Sequence, residues 1–325
     1  AGACATINGA LSKPDFMPGD TIRVAIGTYT GTGSEVVLLS KNVTISGGWN
    51  SNFTTQSSTS TIDGQRARRC ISVNSGVIAI LEQLAVQNGA SDNVGVSNNG
   101  ILTLNHCTVS GNAGGGIGNG GTLDLNNSTV SGNMNGGIGN AGILTLNSST
   151  ISGNTASGGG GIYNMFSGDH DGAVTLNNST INGNTAEVGG GIFNWCTLTL
   201  NNSIVSGNLA RGYGGGGVYN ARGDGHQGTV TLNNSTVSGN TASSGGGCYN
   251  LGGTLTLNNS TISANTATSR GGGIFNMGTL TVTCSTINSN KSSSGGGIDC
   301  WGWDRLSVRR SNISGNKANV GAGIH

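Results

Sequence analysis

Two loop insertions carry most of the side chains that could do chemistry: Met165-Phe-Ser-Gly-Asp169-His170-Asp171-Gly172 and Ala221-Arg222-Gly-Asp224-Gly-His226-Gln-Gly228. Carboxylates and imidazoles grouped in this way suit metal ligation or proton transfer. Trp195 and Cys196 stand at the same place in the intervening segment, and Asp299-Cys-Trp301-Gly-Trp303-Asp304-Arg305 stands at that place further along. Exposed indoles offer flat apolar faces on which sugar rings stack. The sequence therefore nominates a ligand-binding ridge of Asp169, His170, Asp171, Trp195, Asp224, His226, Trp301 and Trp303, with any metal unspecified. His106 and His325 lie elsewhere. Glycoside hydrolysis needs two facing carboxyl groups, and eliminative cleavage needs a base beside a cation. Asp169, Asp171 and Asp224 are the best-placed acids, but no catalytic residue and no cofactor is assigned. Turns also gather Gly, Asp and His for conformational reasons alone, so the ridge reads equally as solvent-facing loops.

The elements that must position these loops come from a ninefold repeat. Its first apolar pair is Leu102/Leu104, Leu123/Leu125, Leu144/Leu146, Val174/Leu176, Leu198/Leu200, Val230/Leu232, Leu255/Leu257, Leu280/Val282 and Leu306/Val308. One apolar residue follows at Val109 through Ile313, and another at Ile117 through Ile324. Alternation of the Leu-Thr-Leu kind is the signature of a strand with one buried face, and no stretch holds a helical period. Starts lie 21, 21, 30, 24, 32, 25, 25 and 26 residues apart, one solenoid turn plus variable loops. A unit this small buries its apolar edge only against neighbours. The expected fold is all-β: a right-handed, single-stranded parallel β-helix with three short strands per coil, like residues stacking about 4.8 Å apart. The two loop insertions, two coils apart, then lie about 10 Å from one another.

Asn closes the second segment of every repeat, from Asn112 to Asn316, and a further set runs from Asn119 to Asn276. Both are expected to be structural amide ladders, since Asn tolerates left-handed backbone and bonds its neighbours above and below. Thr103, Thr145, Thr175, Thr199, Thr231, Thr256 and Thr281 form an outward ladder broken by Asp124 and Ser307. Flat faces with two outward Thr per strand can order water and bind ice, but here the next outward place is Asn, so this ladder reads as strand propensity. Arg222-Gly223-Asp224 reads as a chance tripeptide in a glycine-rich loop. Sequons such as Asn127-Ser-Thr129 and Asn234-Ser-Thr236 read as strand corners, because a glycan on every coil would crowd.

The composition narrows the partners. With 8% charged residues and a net charge of +1, the chain has no electrostatic footprint for nucleic acid or an anionic membrane. No apolar run approaches the roughly 20 residues that span a bilayer. The chain begins Ala-Gly-Ala-Cys, as a processed mature chain or a recovered fragment does, from which export is the expectation, and its 34% hydrophobic residues in strict register indicate order. Seven cysteines permit disulfides, with at least one left over, and Cys248 falls at a core position. No spacing among them matches a zinc motif.

Residues 1–100 read as degenerate first coils of a single domain, 1–325, with a short helix over Thr6 to Ser12 and an alternating strand over Thr21 to Tyr29. Val43 to Ile45, Ile71 to Val73 and Leu81 to Val86 are further rungs. Here Pro18-Gly-Asp-Thr-Ile-Arg-Val24 with Gly27-Thr-Tyr29 resembles the opening of pectin-lyase-like right-handed β-helix proteins. That resemblance implies that the helix plugs the first coil. The Gly-Gly-Gly-Ile-Tyr/Phe-Asn and Ser-Gly-Asn-Thr-Ala units are similar to repeats of bacterial polymorphic outer-membrane proteins and secreted β-helix surface proteins. This implies an extracellular or cell-surface protein, often adhesive. The last coil stops at Gly323-Ile324-His325 within its third segment, which exposes strand edges and suggests truncation, a further domain or end-to-end self-association. The expected function is a non-catalytic structural or adhesive element of a surface or matrix. The alternative is a β-helix that binds or degrades polysaccharide through the ridge around Asp169 to Asp171 and Asp224 to His226.

Overall fold

The computed structural model describes residues 4–168, 170–223, 225–302 and 305–325. It is a right-handed parallel β-helix of about twelve coils. One coil shows how the repeat builds it. Thr197–Asn201 extends with Leu198 and Leu200 fully buried. Asn202 then turns the chain in left-handed conformation at φ 49°, and Ile204–Ser206 follows with Val205 buried. Gly207 makes the second left-handed corner at φ 62° and delivers Asn208 into the interior. After a glycine run, Val218–Asn220 closes the coil with both Val218 and Asn220 buried. Gly217 has no alternative in that run: a Cβ there would lie 2.6 Å from the Gly247 carbonyl oxygen of the next coil.

Register holds residue for residue. Leu198 pairs with Val230, Val230 with Leu255 and Leu255 with Leu280. The second ladder runs Val205, Val237, Ile262, and the third Val218, Cys248, Ile274. A continuous apolar core extends from Ile7 to Ile298. The helix, Ile7–Leu11, is shorter than expected because Thr6 caps it, accepting the Gly9 amide, and it buries Ile7 and Leu11 over the first coil. Thr21 to Tyr29 forms two strands, Thr21–Ala25 and Thr28–Tyr29, because a coil corner falls between them. Leu81 to Val86 likewise divides at Gln83, φ 54°.

Five consecutive coils carry a fourth strand that the repeat pattern does not announce: Thr155–Gly158, Thr185–Val188, Leu209–Gly214, Thr241–Ser244 and Thr266–Arg270. Much of the extra length beyond 21 residues is therefore sheet rather than loop.

Polar ladders line the interior. Each buried Asn from Asn112 to Asn290 donates its Nδ2 to the Oδ1 of its counterpart one coil toward the C-terminus, at 2.9–3.0 Å. Its backbone N–H donates to the same oxygen. A second buried ladder, Asn98 to Asn276, points the same way at 2.7–2.9 Å. The left-handed corners belong to the preceding glycines and to Asn127, Asn178, Asn202, Asn234 and Asn259, not to these ladder amides. A buried serine ladder, Ser128 to Ser285, also accepts backbone N–H groups coil to coil, for example Ser203 N to Ser235 Oγ at 3.0 Å.

All seven cysteines are free thiols; the disulfides that the sequence permits do not form. No helix among the described residues is long and apolar enough to cross a membrane. In the last coil Val308 and Ile324 are 37% and 45% exposed, where their counterparts Val282 and Ile298 are buried.

Candidate functional site

Each long insertion folds into a two-residue-per-arm hairpin closed by the same backbone bond. Phe166–Ser167 pairs with His170–Asp171, closed by Gly172 N–H to Met165 C=O at 3.1 Å. Arg222–Gly223 pairs with His226–Gln227, closed by Gly228 N–H to Ala221 C=O at 2.9 Å. The hairpins lean together across the intervening coil. His226 Nδ1 lies 2.8 Å from Asp171 Oδ1, and its ring stacks on Phe166 at 4.1 Å with planes 9° apart. Trp195, from that intervening coil, presents a T-shaped contact to Phe166 at 6.2 Å. Gly223 makes this fit possible, since a Cβ there would lie 2.4 Å from the Trp195 ring. Cys196 Sγ stands 3.9 Å from Asp171 Oδ1; burial raises the thiol pKa, and the Asp171 charge raises it further.

The expected ridge is thus built in part. Asp171, Trp195 and His226 meet. Asp169, Asp224 and Trp303 lie outside the described residues, as does the side chain of His170. Trp301 stands apart, 56% exposed, with the Arg270 guanidinium 5.1 Å above its ring. Among the described residues no three His, Cys, Asp or Glu side chains gather as a metal site would require. The described acid at the hairpins, Asp171, faces an imidazole rather than a second carboxyl group.

Between Trp195 and Trp301 runs an aromatic ladder that the sequence analysis did not nominate. The outward residue of the third strand is Tyr163, Phe193, Tyr219, Tyr249 and Phe275 in successive coils. Successive centroids are 4.9–5.0 Å apart, the coil spacing itself, and Phe193 and Tyr219 are stacked, as are Tyr219 and Tyr249. Trp195 flanks the ladder 5.4 Å from Phe193 and donates its Nε1–H to Tyr163 Oη at 3.3 Å. Arg270 covers the far end, 6.0 Å above Phe275. Burial pushes the Tyr219 phenol up to about 12 and raises Tyr249 as well. The signal was available as an aromatic residue before Asn in five consecutive repeats.

The ladder ends abruptly. The next two ladder places toward the N-terminus are Gly139 and Gly118, so no ring follows Tyr163. A groove of about 470 Å³ opens there, lined by Asn135, Gly139, Ala156, Tyr163, Met165 and Phe193. Phe193 and Phe275 are themselves buried, so the part of the ladder open to a ligand is the groove beside Tyr163, which suits ring stacking and a few hydrogen bonds. A separate hollow of about 520 Å³ beside the N-terminal helix, near Phe16, Arg23 and Tyr29, is remote from it.

No family model, no curated protein and no solved structure matches the chain.

Proposed function

We propose that the protein is a non-catalytic, extracellular β-helix that adheres to a neutral polysaccharide through its aromatic ladder. The observation that carries this reading is the ladder's free end: Tyr163 faces two glycine places over an open groove. A pyranose ring there would continue the stack at the ladder's own spacing. The low charge of the chain favours an uncharged glycan over an acidic one. The extracellular setting is part of the proposal and rests on the sequence resemblance alone.

Affinity electrophoresis in gels containing neutral polysaccharides tests the reading. Retardation is expected by at least one of them, with Tyr163→Ala and Trp195→Ala weakening it about tenfold, a loss of roughly 1.4 kcal/mol. Retardation that both variants preserve would sink the assignment. A polysaccharide-degrading role is the second reading, favoured by the Asp171–His226 pair; release of new reducing or unsaturated ends, abolished in Asp171→Asn, would establish it.

A further inference from the structure

The first strands of the coils carry a second outward set, in the same sheet as the aromatic ladder and further along the chain; in two coils a single strand, Cys248–Asn258 or Ile274–Thr283, bears both. Two residues before each ladder threonine, the side chain also points outward, and in four successive coils it too is Thr. The pairs are Thr197/Thr199, Thr229/Thr231, Thr254/Thr256 and Thr279/Thr281, in unbroken register. The outward Thr column therefore has a Thr neighbour on its N-terminal side as well as the Asn on its C-terminal side.

These eight side chains form a rectangular grid, about 4.8 Å between coils and about 6.7 Å between columns. The leucines and valines between them are buried, so the hydroxyls share one side of one sheet. None of the eight hydroxyls bonds to another described residue. Thr is stiff at χ1, which keeps each methyl and hydroxyl in place before anything binds. The adjoining outward column is Asn201, Asn233, Asn258 and Thr283, so the patch carries no charge. Arg305 and Arg309 bound it at one end.

We infer that this face binds the surface of ice. An isolated solute molecule meets too few groups on a flat hydroxyl grid to be held against lost translational freedom. An ordered water lattice meets all of them at once. The grid lies close to the repeat of oxygen atoms on the prism face of hexagonal ice, and the methyl groups favour displacement of the more mobile water between them.

The test is ice growth in the presence of the whole chain, followed by microscopy in a nanolitre osmometer. Faceted crystals and a gap between melting and freezing points are expected. Thr231→Tyr with Thr256→Tyr, which roughens the centre of the grid, should abolish both effects. Thr231→Lys offers a second disruption at an exposed place, and circular dichroism checks that each variant keeps its β-structure. Thr236→Tyr on the neighbouring face and Tyr163→Ala on the aromatic ladder should leave the gap unchanged, which separates this face from the polysaccharide-binding one. Round, freely growing crystals would overturn the inference. So would a gap that survives both grid variants, or one lost equally in Thr236→Tyr.

Discussion

Cysteine marks the places where the ladders change. Cys107 stands where the serine ladder begins: its backbone N–H donates to Ser128 Oγ at 3.0 Å, while its Sγ lodges 3.4 Å from the Leu81 carbonyl oxygen. Cys300 follows Asn276 at the end of an amide ladder, and Cys248 substitutes for Val or Ile in an apolar one. Burial pushes the thiols of Cys70, Cys107 and Cys248 up to about 12. At pH 8 a chromogenic disulfide reagent is therefore expected to label exposed Cys284 promptly and these three only after denaturation. The linkage has a definite sign. A raised folded pKa contributes stability that is whole below the ordinary thiol value of 9 and is lost as pH climbs from 9 toward about 12. Urea midpoints should decline above pH 9, less steeply in Cys248→Val. At this scale the sequence was partly legible. The buried Asn set was evident from invariance across nine repeats, whereas Ser128, Ser179 and Ser235 were hidden because Asn-Ser-Thr reads as a sequon on the surface. Only the left-handed Asn before each Ser reveals that the serine turns inward.

At the scale of the element, hydrogen bonds between coils outweigh those on the surface. Asn208 accepts from both the backbone and the side chain of Asn184, and donates to Ile181 C=O and Asn240 Oδ1. Asn208→Ala would leave two donors and one acceptor buried without partners, a cost of about 3 kcal/mol or more. Thr199→Ala, on an outward strand position, should change stability by less than about 0.5 kcal/mol. Equilibrium urea denaturation of the two variants measures the contrast, and comparable losses would contradict it. The fourth strand escaped sequence reading because Thr-Ala followed by glycine is too short to display alternation. Its strand character comes from pairing with the coil below, as Thr155 pairs with Thr185.

At the scale of the whole molecule, a solenoid has no contacts between distant coils, so damage stays local. Leu200→Ala, emptying a fully buried place, should cost about 2–5 kcal/mol. Hydrogen exchange followed by mass spectrometry is expected to speed up first in the coils containing Leu176, Leu200 and Leu232. Uniform acceleration from Ile7 to Ile324 would show a single cooperative unit instead. The architecture was legible because a repeat converts sequence period directly into stacking register. The site was legible only in outline. Equal places in successive repeats told that Asp171, Trp195 and His226 share an edge, but the lean of one hairpin onto the other depends on Gly223 accommodating Trp195.

The buried amide ladders have a direction, and that gives the fold an arrow. In every coil from Asn112 to Asn290 the donors point onward, toward residues the ribosome has not yet made when that coil is complete. A finished coil ends in a backbone N–H and an Nδ2–H waiting for one oxygen, and only the next Asn in the chain supplies it in register. Growth is thereby vectorial. Each coil is a mould for its successor, so once the first coils nucleate on the helix, later ones propagate without searching for their pairing.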